Sequence, residues 1–552
     1  MRLDANEKVF ANYLEAATAF WRHSVLPAAA GDPTILAELF PEDLRVTLRN
    51  LTLANALRRF QPARIVVLTG RVDGWHTRVW PGFDADRVRA MATAFGANEI
   101  VDIRTLLDRA PAGDARSERP DVETDAETDV ETVVAATALR LWRAPRLEPA
   151  QAAGQDYARL RERGERWAAA LSGLFAEMRP IAFITSHVDY DLWGLAVETA
   201  RRCAVPVIHV QQTGNLKAYA LWPEHDRGEG PFRAEITRQV GAVFQQQVWP
   251  LREEIRRSAE LVVHRSKYNL GRPSWWRSTA NAWVQLDNVT QRQQVRAHVA
   301  ARLGWDPELP VVTVYNHAIS DALGTNREVF PDLATWFERT AEYASGRTDV
   351  NWLLLDHPSQ ALYDETGFFA TLAGKHAHDA HLVFRPSEAL SKNAIWSLTD
   401  LGVTVRGSVS NELPAYGIPV LQAGWSEWSA CGLSLVATDE ADYWRLLEDS
   451  LGRLCRDEPV ITEEQVQRAR LWMWLYRAAA DVVSPLVPHW ENLTTDEVLL
   501  FLSVTMRHVE SDGDALFLAV RRMWRNQEPL LSGLDLTSPA DVVAAVLPAT
   551  SQ

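Results

Sequence analysis

The chain has 552 residues, of which 47% are hydrophobic and 23% charged, and its formal net charge at pH 7 is −15. This length exceeds the size at which one hydrophobic core stops growing, so at least two domains are expected, and the composition excludes an intrinsically disordered chain. The negative charge, with no block of basic residues, argues against a protein that holds nucleic acid by neutralising its phosphates.

The cysteines and the N-terminal segment indicate the compartment. Cys203, Cys431 and Cys455 are widely spaced and form no CxxC pair, which argues against a thiolate zinc site and a disulfide framework. The segment MRLDANEKVFANYLEAATAF lacks the apolar stretch of a signal peptide. No run reaches the roughly 18–20 apolar residues that a membrane-spanning helix requires. We therefore expect a cytoplasmic protein with at most peripheral membrane contact.

In the first part of the chain the hydrophobic pattern changes from helical to extended. Residues 6–60 have apolar residues at three- and four-residue spacings, which predicts helices. Residues 65–70, IVVLTG, form an apolar run closed by glycine, which is typical of a buried parallel strand. Residues 111–131 are polar and acidic and cannot bury a core, so they are predicted to form a solvated insertion loop.

An alternation of helices and strands follows. Residues 150–178 have a helical pattern, and residues 181–185, IAFIT, have a strand pattern. The helical segment LWGLAVETARRC then leads to another predicted strand at 205–210. Because a parallel strand pair needs a crossover of this kind, the first half is expected to form a doubly wound sheet.

A second alternating series begins near residue 310. Its predicted strands lie at 310–315, 351–355, near 383, at 403–405 and at 419–421. Two such series predict an α/β protein with two facing Rossmann-like domains and helical N- and C-terminal extensions. The predicted boundaries are 1–235 for the N-terminal domain, 236–300 for a connecting segment, 301–461 for the C-terminal domain and 462–552 for helices that pack across both.

Polar residues cluster at the predicted carboxyl ends of strands in the second half, where open α/β sheets bind ligands. Asn316 and His317 follow one strand, and His357 and Pro358 follow the next. Proline restricts the preceding histidine to an extended conformation, which turns its ring out of the sheet. This histidine could then donate a hydrogen bond to a nucleotide phosphate, and the alternative is a histidine that caps a loop.

The segment after the strand at 403–405 combines a glycine with the predicted start of a helix. It consists of Arg406, Gly407, Ser408, Val409, Ser410, Asn411 and Glu412. Glycine permits close approach of the backbone, and free amides at a helix N-terminus together with two serine hydroxyls can bind an anion. Glu412 could accept hydrogen bonds from ribose hydroxyls, although a Ser-x-x-Glu box also predicts a capping role for it.

These motifs, in this order, resemble bacterial capsule-polysaccharide synthesis glycosyltransferases, including the Kdo-transferase-like group. The resemblance covers about residues 305–450 and is carried by VVTVYNHAISDA, VFPDLATWFERTAEYA, DVNWLLLDHPS and VTVRGSVSNELPAYGIPVLQAGWSEWSACGLSLVATDEADYWRLL. It implies a GT-B fold, a nucleotide-activated sugar donor in the C-terminal half, and catalysis without a bound metal or cofactor. By position, His357 and the loop serines would contact the donor phosphate and Glu412 the nucleoside, and CMP-, UDP- and GDP-linked donors all remain open.

The chain departs from this family at one position. Family members often have a lysine shortly before the His-Pro pair, whereas here the strand ends in Leu354, Leu355 and Asp356. Three side chains could replace the missing positive charge in the donor site, namely His317, Arg385 and Arg406.

The first half is expected to hold the acceptor and, for an inverting reaction, a general base. His187, Asp189 and Asp191 follow the strand at 181–185 and are the best catalytic cluster in the sequence. Either carboxylate could remove the acceptor proton, with His187 assisting or acting alone. The alternative for Asp191 is a cap on the helix that begins near Leu192.

Two further loops could bind acceptor hydroxyls. Gly70, Asp73 and His76 follow the strand at 65–69, and Gln212 and Asn215 follow the strand at 205–210. Ordinary turn formation is the alternative for both loops.

The combined prediction is an inverting, metal-independent glycosyltransferase that moves a sugar from a nucleotide-activated donor to a carbohydrate or glycoconjugate acceptor in polysaccharide biosynthesis. Two alternatives share the architecture: a sugar-nucleotide epimerase, and a catalytically degenerate module that binds carbohydrate. The absence of a GxxxxGK[ST] run and of a GxGxxG after the strand at 65–69 argues against a P-loop hydrolase and a dinucleotide oxidoreductase.

Overall fold

A computed structural model describes residues 6–40, 44–80, 83–109, 123–211, 215–266, 286, 288–321, 328–488, 493–509 and 511–546. The chain forms two compact units, each built around a six-stranded sheet. The first unit comprises Met1–Leu141, Pro149–Ile236 and Ala479–Leu534, and the second comprises Trp142–Glu148, Thr237–Ala478 and Asp535–Gln552.

The first sheet contains β1 Thr34–Glu38, β2 Arg64–Thr69, β3 Glu99–Asp102, β4 Ala182–Thr185, β5 Val207–Val210 and β6 Ala218–Leu221. Its strand order is β3-β2-β1-β4-β5-β6. All neighbours are parallel except β5 and β6. The order reverses between β1 and β4, so their carboxyl ends enclose the crevice in which doubly wound sheets bind ligands.

The helices that accompany this sheet are α1 Glu7–Ser24, α2 Leu44–Arg58, α3 Ala85–Ala94, α4 Ile103–Arg109, α5 Glu123–Trp142, α6 Pro149–Ala152, α7 Gln155–Met178 and α8 Leu195–Arg202. The chain passes into the second unit within α9 Phe232–Val243. Helix α2 is buried along its whole length, because it lies between the sheet and other helices.

The second sheet contains β7 Val311–Tyr315, β8 Asn351–Leu355, β9 Leu382–Arg385, β10 Leu401–Thr404, β11 Val420–Gln422 and β12 Leu435–Val436. Its order is β12-β11-β10-β7-β8-β9, and every neighbouring pair is parallel. The reversal lies between β7 and β10. A ligand crevice is therefore expected where the loops after these two strands meet.

The second unit contains α10 Arg252–Ser266, α11 Val289–Leu303, α12 Leu333–Ser345, α13 Phe368–Lys375, α14 Lys392–Leu398, α15 Val409–Glu412, α16 Glu440–Cys455 and α17 Glu463–Trp474. The chain then returns to the first unit, where α18 Thr495–His508 packs on α1 and α19 Ala515–Asn526 packs on α2. The final helix, α20 Pro539–Val546, lies against α10 in the second unit. In the described chain no helix is long and apolar enough to cross a membrane.

The predicted α/β class, with two Rossmann-like units and helical segments at both ends of the chain, is confirmed. Two local predictions were wrong or incomplete. Residues 6–60 are not all helical, because the buried segment Thr34–Glu38 is the central strand β1. Of the predicted loop at 111–131, residues 111–122 lie outside the described residues, and the chain forms helix α5 from Glu123, where buried Val130, Val134 and Ala138 form a stripe at helical spacing. Because β1 precedes it in the chain, the predicted strand at 65–69 is the second strand of the first sheet.

The compact units also divide the C-terminal region differently from the predicted boundary. Residues 462–552 do not act as one segment, because Ala479–Leu534 belongs to the first unit and the residues on either side belong to the second. Hydrogen bonding explains this division, since Val482 pairs with Leu216 and Leu530 pairs with Tyr219 beside β6. The predicted connector at 236–300 belongs to the second unit from Thr237 onward.

Candidate functional site

Three strand ends of the second sheet are tied together around its reversal point. The backbone N–H of Asn316, just after β7, donates to the carbonyl of Leu355 at the end of β8 over 3.1 Å. The Thr404 hydroxyl at the end of β10 donates to the carbonyl of Tyr315 over 3.1 Å. The loops after β7, β8 and β10 therefore start from one edge, as the sequence predicted for the donor residues.

Two of the predicted histidines lie side by side at this edge. The ring centroids of His317 and His357 are 6.0 Å apart. Nδ1 of His357 accepts the backbone N–H of Ser359 over 3.1 Å, so its neutral ring carries the proton on Nε2. Burial, with a smaller effect from His317, lowers the pKa of His357 to about 4, against an opposing effect of Asp321. His357 is therefore a neutral hydrogen-bond donor at pH 7.

This pKa predicts how the stability of the second unit depends on pH. Below pH 6.5, the ordinary pKa of histidine, His357 becomes protonated in the unfolded chain. In the folded chain it stays neutral down to about pH 4. Stability is thus fully present above pH 6.5 and falls by up to about 3 kcal/mol towards pH 4. In His357→Gln this loss should be missing when thermal unfolding is followed from pH 7 to pH 4.5. The exposed His378→Gln variant is the control, and a wild-type and His357→Gln pair with parallel profiles would contradict the assignment.

Two amide side chains at the same strand ends are buried without hydrogen bonds. Asn316 is 5% exposed and Gln360, three residues beyond His357, is 9% exposed. Within the described part of the chain, neither the nitrogen nor the oxygen of either amide has a partner. The loops that carry them are joined, because the Ser320 hydroxyl donates to the carbonyl of Tyr363 over 2.7 Å. The sequence analysis missed Gln360, and no local motif distinguishes it.

The Gly407 loop forms as predicted, but its two serines differ. The Ser410 hydroxyl donates to the Gly407 carbonyl over 2.8 Å and accepts Nε1–H of Trp428 over 3.0 Å, so it serves the loop itself. Ser408 makes no capping hydrogen bond. A side chain at Gly407 would place its Cβ 2.8 Å from the Thr404 hydroxyl oxygen, which explains the glycine. Ser408 is thus the better candidate for a ligand contact, and Asn411 is buried in the short helix α15 that follows.

The three side chains that could replace the missing lysine, those of His317, Arg385 and Arg406, make different contacts. Arg406 is buried, forms an ion pair with Glu328 and donates to the Asp321 carbonyl over 2.8 Å, so it holds the loop after β7. Arg385 is exposed at the end of the edge strand β9, where its guanidinium donates to the Phe384 carbonyl over 3.0 Å. Of the three predicted substitutes, His317 is the one beside His357.

Asp356, where a lysine was expected nearby, ties two loops together. Its carboxylate accepts the backbone N–H of Ser387 over 2.6 Å, which links the end of β8 to the loop after β9. Burial raises the pKa of Asp356, and the hydrogen bonds from Ser387 oppose this. The exposed Pro358 follows His357 and begins the turn that presents Ser359 to the histidine ring.

Glu412 lies between two cations that the sequence analysis missed. Its buried carboxylate accepts from Nζ of Lys392 over 3.2 Å and from the Arg477 guanidinium over 3.0 Å. Lys392 also lies over the Trp396 ring, 4.1 Å from its centroid. The cations lie 20 and 65 residues from Glu412 in sequence, so no local pattern could reveal them.

In the first unit the predicted catalytic carboxylates are both bound to arginines. Asp189 is buried and receives two hydrogen bonds from Arg233, at 2.9 Å from Nε and 2.6 Å from Nη2. Asp191 is buried and accepts from Nε1 of Trp75 over 2.9 Å and from the backbone of Leu192 over 2.8 Å, and it also pairs with Arg163. Asp191 lies inside the helical turn Tyr190–Gly194, so its bond to Leu192 is a contact within that turn and not an N-cap bond.

Tyr190, between these two carboxylates, has φ of +66°, which is rare for a non-glycine residue and costs of order 1–3 kcal/mol. The left-handed backbone at Tyr190 lies between an aspartate bound to Arg233 and another bound to Arg163. Strain of this kind is found mostly at functional sites and persists only where the surrounding contacts enforce it.

His187 is the accessible member of the predicted cluster, with 31% of its side chain exposed. Nδ1 accepts the backbone N–H groups of Val188 and Asp189, each over 3.1 Å, so the neutral ring carries its proton on Nε2. Its ring packs 5.3 Å from Tyr190 and 5.2 Å from Trp193 between centroids. In this arrangement His187 presents a hydrogen-bond donor.

Glu38, at the end of β1, is a buried carboxylate that the sequence analysis missed. It accepts the backbone N–H of Ser186 over 2.5 Å and that of Phe40 over 2.9 Å, as well as the Ser186 hydroxyl. Burial raises its pKa, and these donors oppose the effect. Since Ser186 precedes His187, Glu38 fixes the start of the loop after β4. Recognising β1 in the sequence would have placed Glu38 at this edge.

The residues predicted to bind acceptor hydroxyls make their contacts with other residues of the first unit. Gly70 has φ of +140° and leaves no room for a Cβ beside Asp102. His76 is buried, accepts the Val72 N–H at Nδ1 over 2.8 Å and donates from Nε2 to the Phe40 carbonyl over 3.1 Å. Burial, the largest cause, lowers the pKa of His76.

The remaining predicted acceptor residues are Asp73, Asn215 and Gln212. Asp73 is exposed, and its carbonyl accepts from Arg163 over 2.9 Å. The Asn215 amide donates to the Asp481 carboxylate over 3.1 Å. Gln212 lies outside the described residues. These contacts belong to turns and to the C-terminal segment that joins the first unit.

Comparison with known proteins gives only distant structural similarity. No protein-family model matches the chain, and no curated protein matches it. UDP-GlcNAc 2-epimerase from Neisseria meningitidis bound to UDP-GlcNAc is 12% identical with a TM-score of 0.23, covering 82% of this chain and 100% of that one. The calicheamicin glycosyltransferase CalG4 is 14% identical with a TM-score of 0.26, covering 80% and 95%.

A third solved structure is the N-terminal domain of Candida albicans trehalose-6-phosphate phosphatase. It is 10% identical with a TM-score of 0.29, and the match covers 88% of this chain and 98% of that domain. The strand order and register of the chain themselves define its two Rossmann-like sheets.

Proposed function

We propose that the chain is a glycosyltransferase whose nucleotide-activated sugar donor binds at the carboxyl ends of β7, β8 and β10. The observation that carries this proposal is the neutral His357, with its proton on Nε2, beside His317 at the reversal point of the second sheet. Phosphate oxygens accept hydrogen bonds, so two imidazoles and the Ser408 hydroxyl suit a nucleotide phosphate.

The finer identity rests on the resemblance to capsule-polysaccharide and Kdo-transferase-like enzymes over residues 305–450. It supports an inverting reaction without a bound metal and a carbohydrate or glycoconjugate acceptor. The salt bridges of Glu412 modify one part of this proposal, because a carboxylate held by Lys392 and Arg477 has less capacity left for ribose hydroxyls. The nucleoside contact of Glu412 is therefore shared with these two cations.

For the acceptor side we assign the principal role to His187. Asp189 and Asp191 are each bound to an arginine, whereas His187 is partly exposed beside Tyr190 and Trp193. With its proton on Nε2, His187 would donate a hydrogen bond to an acceptor oxygen. Accepting a proton at that nitrogen requires the ring proton to be on Nδ1, which breaks the hydrogen bonds from the Val188 and Asp189 N–H groups and turns Nδ1 into a donor 3.6 Å from the Asp189 carboxylate. Asp189 would stabilise that form.

Nucleotide binding tests the donor site. Of CMP, CDP, UDP and GDP, at least one should raise the apparent melting temperature of the wild type, since a ligand of the folded state stabilises it. His357→Ala and Ser408→Ala should each weaken binding of that nucleotide about tenfold, because each removes a hydrogen bond to a charged group. Affinity should also increase as the pH falls towards the pKa of His357, because a bound anion favours its protonation.

The matched control is Ser410→Ala, since the Ser410 hydroxyl is bound to Gly407 and Trp428. It should alter stability more than nucleotide affinity, measured by isothermal titration calorimetry. Equal losses of affinity in Ser408→Ala and Ser410→Ala would show that the loop acts as a structural whole. Unchanged affinity in both His357→Ala and Ser408→Ala would refute the site.

A catalytically degenerate module is the second candidate, and one observation favours it: both carboxylates of the first-unit cluster are neutralised by arginines. Incubation with nucleotide sugars separates the possibilities. A transferase releases nucleotide faster when an acceptor is added, an epimerase converts the nucleotide sugar alone, and a binding module does neither while still binding. In a transferase His187→Ala should lower turnover without weakening nucleotide binding.

A further inference from the structure

The buried amides of Asn316 and Gln360 are a feature that phosphate binding leaves unexplained. Each amide offers two N–H donors on its nitrogen and a carbonyl oxygen that accepts. All four of these polar atoms are buried and lack partners within the described residues. Unsatisfied buried polar groups are uncommon in folded proteins, and each one lowers stability. Two of them at the ends of adjacent strands, around the His317 and His357 pair, mark a place where a ligand supplies the missing bonds.

The hydrogen-bonding chemistry of the unpartnered amide atoms restricts which ligand groups can bind them. A phosphate only accepts hydrogen bonds, so it could satisfy the two amide nitrogens but would leave both oxygens without donors. A hydroxyl donates and accepts, and the polar edge of a nucleobase presents donors beside acceptors. Groups of these two kinds can satisfy a carboxamide completely, whereas the neutral ring of His357 offers only the donor on Nε2.

We infer that Asn316 and Gln360 bind the hydroxyl-bearing or base portion of the nucleotide sugar, while the histidines contact its phosphate. This inference rests on the proposed donor site and deepens it, because it divides the strand ends into two recognition groups. The donors and acceptors come either from the nucleoside or from the transferred sugar. Both sources share this chemistry, and binding measurements can distinguish them.

The test uses near-isosteric apolar replacements in the full chain, Asn316→Leu and Gln360→Met. In the absence of ligand each should raise the melting temperature of the second unit by about 2–4 °C, since an unsatisfied amide is replaced by an apolar group of similar shape. The matched control is Gln422→Met. The Gln422 amide is also buried, and its nitrogen lacks a partner within the described residues, but its oxygen accepts from Ser429 over 3.1 Å and from Ser434 over 2.9 Å, so its loss should lower the melting temperature.

Affinities are then measured for inorganic pyrophosphate, for CMP, UDP and GDP, and for CMP-N-acetylneuraminate, UDP-N-acetylglucosamine and GDP-mannose. Both variants should keep the wild-type affinity for pyrophosphate and lose about tenfold or more for the ligands that contain the recognised portion. A loss already seen with the nucleotide alone identifies the nucleoside as the source. A loss confined to the nucleotide sugar identifies the sugar.

Two results would overturn the inference. A fall in melting temperature in both variants would show that the amides have partners in the folded protein, and an equal loss of pyrophosphate affinity would place them on the phosphate. Failure of the proposed function looks different. The wild type would then bind pyrophosphate or free sugar phosphates but none of the nucleotides, while the melting temperatures would still report on the amides.

Discussion

Replacing Arg233 with methionine is expected to destabilise the first unit by about 3–5 kcal/mol, because it leaves the Asp189 carboxylate buried without its cation. Asp189 is 1% exposed and receives both hydrogen bonds from one guanidinium. In a unit of this size the loss corresponds to a fall in melting temperature of about 10 °C. Thermal unfolding followed by calorimetry, which resolves separate transitions, measures it.

The double variant Arg233→Met, Asp189→Asn is the control for this prediction. Without the buried negative charge, much of the stability should return, because the cost arises from an unpaired ion and less from the lost bonds. If the single and double variants are equally unstable, Arg233 acts through packing. If Arg233→Met is as stable as the wild type, Asp189 has water or another partner and is more available for catalysis than the proposal assumes.

Replacing Arg406 with methionine is expected to have an effect of similar size in the second unit, about 3–5 kcal/mol, since it leaves Glu328 buried without its cation. Arg406 is 3% exposed and Glu328 is 7% exposed. The guanidinium also holds the Asp321 carbonyl, and the Arg406 carbonyl accepts the Ser426 hydroxyl over 3.0 Å. Calorimetric unfolding should show the loss in the transition of the second unit.

The double variant Arg406→Met, Glu328→Gln separates support of the loop from contact with the ligand. It should regain much of the stability of the wild type. If Arg406 only holds the loop, nucleotide affinity should return with stability. If stability returns and nucleotide affinity stays low, Arg406 contacts the phosphate, as the sequence analysis had allowed. These two outcomes distinguish a supporting role of Arg406 from a phosphate contact, which its position in the sequence motif does not distinguish.

The second sheet was largely predictable because its strands are short apolar runs that are followed by polar residues at their carboxyl ends. Val311–Tyr315 and Asn351–Leu355 are buried almost throughout and are followed by Asn316 and His357, so both the strands and the site edge could be read locally. The first sheet was less clear. Its central strand Thr34–Glu38 stands between two helices, and four apolar or small residues followed by a glutamate in such surroundings fit either type of structure.

Partners distant in sequence account for most of what the sequence analysis missed. Asp189 could be placed at a strand end, but Arg233 is 44 residues away, and only the packing of α9 brings it to the carboxylate. Ser408 and Ser410 look equivalent in sequence, but the Ser410 hydroxyl is bound to the Gly407 carbonyl and to the Trp428 indole. The functional residues within one loop could thus be predicted from the sequence. The distant residues that neutralise or support them could not.

The return of the chain to its first unit has a consequence for biosynthesis. The first unit needs Ala479–Leu534, yet the ribosome must make the residues from Thr237 to Ala478 first. At ordinary elongation rates of about 5–20 residues per second, roughly 15–60 s separate the emergence of residue 236 from that of residue 534. Throughout that interval the nascent β6 lacks its partners at Val482 and Leu530, and an open strand edge invites aggregation. Chaperone protection during synthesis should therefore matter more for the N-terminal half than for the half made after it.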